Sequence, residues 1–320
     1  MSTQVAGPTA PAPGRPRAAV PGRGRTKTAR ENRDGLVMVL PTAVLVVAVV
    51  VVPVLWNVVL SFQRLSLVDI RDAGIFQQAT LENFVRVFSG SGFWSSILTT
   101  VIYSVCATAG SILVGLILAL ALRRPFRGRG LVRALLLLPY VAPVVAVAFV
   151  WQVMLNPQYG VVNVWGQQLL GWERPIDFLG RSPYALTTVI AFEIWRYFPF
   201  ALLFLSARLV AVPRELEEAA VMDGASLLQR YRYVVLPQLL PVVALLSVLR
   251  LIMTFNKFDD VFLLTGGGAG TQVAAVRVYD TLTGRFDVGG AAAQALVLAV
   301  FLGVSLLIYV RFFVRREVQS

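Results

Sequence analysis

Six long apolar blocks, at about residues 36–61, 93–122, 130–154, 184–210, 237–264 and 290–314, constrain this chain more than any other feature. A helix needs about 20 mostly apolar residues to cross the hydrocarbon core of a bilayer. Within that core backbone polar groups cannot turn to water, so runs of this length fold as helices. The expected fold class is all-α integral membrane, with six transmembrane helices. Composition agrees, since 57% of the 320 residues are hydrophobic, only 14% are charged, and the mean hydropathy is +0.72. No sequence repeat of 20–50 residues is evident, which leaves open a weak structural repeat among the six spans.

The net charge of +12 would suit a nucleic-acid partner if it formed one patch, but it alternates along the chain. Segments 1–35, 123–133, 208–232 and the C-terminal tail hold seven, five, four and three Lys and Arg. The intervening loops 62–92, 155–183 and 265–289 hold three, two and two. Cytoplasmic loops carry the excess of basic residues, so both termini and the loop at 211–237 are expected in the cytoplasm. Such charges orient spans, and no nucleic-acid partner is expected.

Residues 1–35 carry Arg15, Arg17, Arg23, Arg25, Lys27, Arg30 and Arg33 with no acid before Glu31. Pro8, Pro11, Pro13, Pro16 and Pro21 oppose the amphipathic helix of a transit peptide. A disordered basic cytoplasmic tail is the better expectation, with the first apolar block retained as an anchor. The sequence contains no histidine and one cysteine, Cys106, which lies inside an apolar block. Zinc and haem sites draw on His and Cys ligands, so no metal or other cofactor is expected.

A polar island, Pro213–Pro237, interrupts the apolar blocks. Pro213 suits the start of a helix, and Glu215, Glu217 and Glu218 fall near its positive end. Gly224 can turn left-handed after that helix. Ser226 can cap a second short helix bearing Arg230 and Arg232, expected to end before Pro237. The result is a helix–turn–helix with a small tip at Ala219–Ala220. By its residues alone it fits a docking element and a helix lying on the membrane surface about equally well.

Glu218-Ala219-Ala220, then Asp223-Gly224-Ala225, then Leu236-Pro237, resemble the EAA motif of permease subunits of ABC importers. The likeness extends to Leu81-Glu82-Asn83-Phe84, Gly160-Val161-Val162-Asn163, Trp195 with Pro199-Phe200, Leu264-Thr265-Gly266-Gly267-Gly268, and Phe286-Asp287-Val288-Gly289. It covers about residues 36–316 and is strongest for the binding-protein-dependent carbohydrate-uptake group, in particular the F-type subunit of maltose-type transporters. Ala269 stands where that family usually has proline. The resemblance implies a type I importer permease fold, with the EAA loop as a coupling helix seated on a separate ATP-binding subunit. It implies as partners a second permease subunit, two ATP-binding subunits, an extracytoplasmic solute-binding protein and a sugar or related polyol. Consistently, no G-x-x-x-x-G-K-[ST] phosphate loop occurs, and TGGGAGT at 265–271 lacks the lysine. The chain is expected not to hydrolyse ATP by itself, and to reside in a bacterial inner membrane.

Ionisable residues inside spans are costly and mark candidate function. Glu193 and Arg196 lie three residues apart, as do Lys257 and Asp260, so each pair can also simply neutralise itself on one helix face. Arg250 is a further ionisable residue in the fifth block. A sugar pathway needs hydrogen-bonding groups and an aromatic face, which Arg196, Tyr197, Phe200, Met253, Thr254, Asn256 and Lys257 supply. The resemblance places the family's sugar contacts on the same two segments, and the cationic Arg196 and Lys257 leave an anionic solute such as glycerol phosphate open. A secondary transporter driven by an ion gradient would not require the EAA loop, and an intramembrane enzyme lacks a convincing catalytic set.

Overall fold

A computed structural model describes residues 37–69, 71 and 79–317, so the basic tail at 1–35 lies outside the described residues. The chain divides into two compact units, Met1–Leu55 and Trp56–Ser320. The first helix, α1 (Val37–Ser61), begins in the first unit, where residues 37–55 are helical and none is buried. A helix apolar on every side is the form a lipid-facing span takes.

The second unit contains α2 (Glu82–Ser89), α3 (Ser91–Ala121), α4 (Arg129–Val141), α5 (Val144–Leu155), α6 (Val161–Leu170) and α7 (Tyr184–Val210). After these come α8 (Arg214–Met222), α9 (Leu227–Phe255), α10 (Asp259–Thr265), α11 (Ala274–Thr283) and α12 (Val288–Glu317). Among the described residues five helices are long and apolar enough to cross a membrane, and six if α4 and α5 together form one span.

That third span is broken: α4 and α5 meet at 95°. The cause is local. Proline pushes the residue before it out of the helical region, and Ala142, preceding Pro143, is extended at φ −64°, ψ 142°. The fifth apolar block, expected at about 237–264, is not one helix either; α9 stops at Phe255 and α10 starts at Asp259.

The long helices α3 and α7 pack against each other along most of their length, and α9 closes on both. Small residues make this possible. Ala107, Ser111 and Gly115 are buried, and a Cβ on Gly115 would lie 2.6 Å from Ala201 Cβ and 2.9 Å from the Leu202 nitrogen. Close approach of backbones through small residues is the usual route to tight helix packing in lipid, where burial of apolar surface gives little drive. Around this crossing sit Ile112, Phe198, Leu205, Val235 and Leu246. A second core joins α3, α5, α7, α10 and α11 through Tyr103, Ala148, Phe192, Val261 and Val276.

Two of the motif fragments scattered through the sequence, Leu81–Phe84 and Phe286–Gly289, meet in space. Asn83 is fully buried and donates from Nδ2 to the carbonyls of Ser61 (2.9 Å) and Gln63 (2.8 Å). Gly289, from the Phe286–Gly289 fragment, lies so close that a Cβ would stand 2.8 Å from Asn83 Nδ2. Arg86 joins the two by pairing with Asp287 at 3.1 Å, and Asp287 Oδ1 accepts from the Gly290 N–H at 2.7 Å. Asn163 plays the same part for its own loop. Its Nδ2 donates to Ile176 O at 3.0 Å, and its Oδ1 accepts from Ile176 N at 2.7 Å. In the glycine-rich turn after α10, Ala269 has φ +50°, a value proline cannot take.

Candidate functional site

Two regions concentrate the polar residues, and they are built in opposite ways. The first is the Pro213–Pro237 loop. Pro213 stands just before α8, and Glu215 and Glu217 lie in its first turn. After Met222 the helix ends on Gly224 at φ +79°, with the Ala225 N–H donating back to Ala220 O at 2.9 Å. Left-handed geometry here is what glycine supplies. Ser226 then caps α9 reciprocally: its N–H donates to Gln229 Oε1 at 2.7 Å, and its Oγ accepts from Gln229 N.

The second helix does not end before Pro237, contrary to the expectation from that proline. It is the first turn of α9, which runs on through a π-turn at Tyr231–Val235 to Phe255. Pro237 offers no N–H to the preceding turn, and the wider π-turn accommodates the missing bond. Arg208 of α7 fastens this return leg, donating from Nε to Gln238 O at 3.1 Å.

Glu218, Ala219, Asp223, Gly224 and Pro237 are exposed, while Ala220, Ala225 and Leu236 are half-buried. The tip is more apolar than the alanines imply. Met222 and Leu228 are 86% and 76% exposed. Glu217 is held by Arg123 from the α3–α4 loop. Between them a groove of about 460 Å³ is lined by Arg124, Glu218, Val221, Leu227 and Arg230, among others.

The second region is a buried charge cluster where α7, α9 and α10 meet. Arg250 Nη2 donates to Glu193 Oε1 at 2.8 Å, and both side chains are out of reach of solvent, at 1% and 0% exposure. Arg196 therefore does not neutralise Glu193, its neighbour three residues on. It faces Asp260 at 4.0 Å and donates from Nη1 to Ala142 O at 3.1 Å. That carbonyl belongs to the break between α4 and α5, where the helix ladder leaves it free. Lys257 does pair with Asp260, at 3.5 Å, and also donates to Tyr197 Oη. The Tyr197 ring carries Arg250 Cζ at 4.1 Å and Lys257 Nζ at 4.6 Å from its centroid.

Of the residues read as pathway candidates, Arg196, Tyr197 and Lys257 thus converge, and Thr254 is buried on the same helix as Arg250. Phe200 is half-buried, against Tyr140 at 6.1 Å and Phe204 at 4.8 Å between ring centroids. Met253 and Asn256 are exposed, and Asn256 Nδ2 donates to Ile252 O at 2.9 Å. Tyr140, which contacts both Tyr197 and Phe200, was not singled out by sequence. Its signal is the pair Pro139 and Pro143, which marks α4 as a helix about to break. Among the described residues no group of three or more His, Cys, Asp and Glu is placed to hold a metal ion.

A bundle of long apolar helices with a discontinuous span and an exposed EAA loop defines a polytopic membrane permease. Residues 111–319 match the family model described as binding-protein-dependent transport system inner membrane component, and the chain belongs to this family. It is 36% identical over 271 residues to the inner membrane ABC transporter permease protein YcjO of Escherichia coli, covering 83% of this chain and 89% of that protein. It is 34% identical over 247 residues to the trehalose/maltose transport system permease protein MalF of Thermococcus litoralis, covering 77% and 82%. Its fold matches a chain of the bacterial alginate ABC transporter in complex with an alginate pentasaccharide-bound periplasmic protein, with TM-score 0.77 at 22% identity over 89% of this chain and 95% of that one. The protein is a multi-pass inner membrane permease component with the type I importer fold.

Proposed function

We propose that this chain forms half of the translocation pathway of an ATP-driven importer for a sugar or related polyol. The observation that carries the reading is the Pro213–Pro237 loop. It is shaped by its own caps and turn yet leaves Glu218, Met222 and Leu228 facing outward, with sequence and placement of a coupling helix. Docked on a separate ATP-binding subunit, such a loop transmits closure of that subunit to the end of α3, through Arg123 on Glu217, and to α7, whose Arg208 holds the return leg at Gln238. ATP hydrolysis then belongs to the partner. The assembly would contain a second permease, two ATP-binding subunits and an extracytoplasmic solute-binding protein, and both termini would be cytoplasmic, as the basic-loop bias argues.

The sugar class rests on the relatives: one is named for trehalose and maltose, and the matching fold comes from an alginate importer. In this chain Phe200, Met253 and Asn256 offer partly open apolar and amide surface, with Tyr140 beside Phe200. Arg196, Tyr197 and Lys257 meet in the buried charge cluster where α7, α9 and α10 come together, and Thr254 is buried on α9. Alternating access follows when ligand and nucleotide favour different states of the pair.

The test is uptake and ATP hydrolysis in the reconstituted complex. Glu218→Lys reverses the charge at the docking face and should abolish coupled uptake while the chain still inserts and assembles in the membrane. Normal uptake with this change would remove the loop from the coupling role.

A further inference from the structure

Where α3 and α7 end and α4 begins, a pocket of about 200 Å³ is lined by Arg123, Arg129, Arg133 and Arg214, with Leu209 and Val210 on its apolar side. No carboxylate lines it. Glu217 pairs with Arg123 but faces the neighbouring groove. Arg129, Arg133 and Arg214 make no ion pair among the described residues. Arg129 Nε is buried without a hydrogen-bond partner.

The helix itself deepens the imbalance. α4 begins after Gly128, which has no side chain to cap it, and its first turn contains no acid. The free N–H groups and the macrodipole make that end positive, and arginines there are repelled where an anion would be drawn in. Several guanidinium groups around one small pocket, with a helix N-terminus beside them, match the chemistry of a phosphate group. The depth points to a lipid. α3 ends at Ala121 and α7 at Val210, so the pocket sits where the apolar helices leave the bilayer. Val210 is 85% exposed beside it, offering a surface for an acyl chain that free phosphate would not use.

We propose that this pocket binds the phosphate headgroup of an anionic phospholipid, in the leaflet that faces the basic loops. The choice of leaflet rests on the orientation argued above; the site itself does not depend on the transported solute. Attraction of a basic side chain to anionic lipid gives about a fivefold effect for each charge.

The assembled transporter, exposed to mixed phosphatidylglycerol–phosphatidylcholine vesicles and extracted, can be analysed by native mass spectrometry for retained phosphatidylglycerol. Arg129→Gln and Arg133→Gln should each weaken retention about fivefold, whereas Arg127→Gln, on an exposed residue outside the pocket, should leave it unchanged. Equal losses in all three would mean diffuse surface charge and overturn the site. So would retention that depends on none of them, as when an acidic group of a partner chain fills the pocket in the complex. Displacement of the lipid by millimolar inorganic phosphate would assign the pocket to a free anion instead. If the glutamine variants fail to assemble, a photoactivatable phosphatidylglycerol on the unaltered complex decides. Crosslinks should fall within 119–133 and 206–214, and crosslinks confined elsewhere would overturn the proposal.

Discussion

The buried charge cluster and the Pro213–Pro237 loop use the same residue types to opposite ends. In the cluster, Arg250 and Glu193 meet at 2.8 Å with almost no solvent exposure, and Arg196, Lys257, Asp260 and Tyr197 close around them. In the loop, Glu218 and Asp223 are exposed, and Met222 and Leu228 point outward beside them. Burial forces charged groups to find partners within the chain, because an unpaired ion in a low-dielectric interior is expensive. Where groups remain unpartnered at the surface of so self-contained a fold, their partner is best sought on another chain. Residues that hold the bundle together thus differ from those that, on the proposed function, would connect it to an assembly.

The sharpest way to break that comparison is to remove one side of the buried pair. Arg250→Leu leaves Glu193 as an uncompensated buried charge and should destabilise the chain by about 3–5 kcal/mol, read as loss of assembled protein on heating in detergent. Glu193→Leu/Arg250→Leu should recover most of that loss, since an apolar pair of similar size avoids the stranded charge. If the single and double variants are equally unstable, the pair is not what ties α7 to α9.

Gly224→Val tests the other side. A Cβ at Gly224 meets nothing within 4 Å, so only the left-handed backbone at φ +79° opposes it. A β-branched residue there is strained by roughly 1–2 kcal/mol. Coupled uptake should fall about tenfold while thermal stability falls by no more than that strain, because on the proposed function the distortion falls on the docking geometry. A variant that loses stability but not coupling would reverse the roles of the two regions. Ser226→Ala is the gentlest probe: loss of the reciprocal cap with Gln229 should weaken the start of α9 by about 1 kcal/mol, visible as faster amide exchange at 226–230 and as a modest drop in uptake.

What could be read from sequence follows the same division. The spans and the helix–turn–helix loop were legible because their signals are local: apolar length, Pro213, Gly224, and the Ser226–Gln229 spacing. The charge cluster was only half legible. Glu193, Arg196, Arg250, Lys257 and Asp260 announce themselves as ions in apolar blocks, but spacing favours Glu193 with Arg196. The actual partner, Arg250, is 57 residues away on another helix. The missing piece was the break at Ala142–Pro143, whose free carbonyl draws Arg196 away from Glu193. Similarly, the Asn83 and Gly289 fragments read as separate motifs, although they are two halves of one contact. Pro237 misled in the other direction, since a π-turn lets the helix pass through it.

The most direct test of the central claim, that the loop hands energy to a bundle with no hydrolytic machinery of its own, is ATP hydrolysis and uptake measured side by side. The purified chain should hydrolyse no ATP alone. The complex with its ATP-binding subunits and ligand-loaded solute-binding protein should hydrolyse and transport, and Glu218→Lys should abolish transport in a complex that still assembles. Hydrolysis by the isolated chain, or unchanged uptake with the altered loop, would contradict the account.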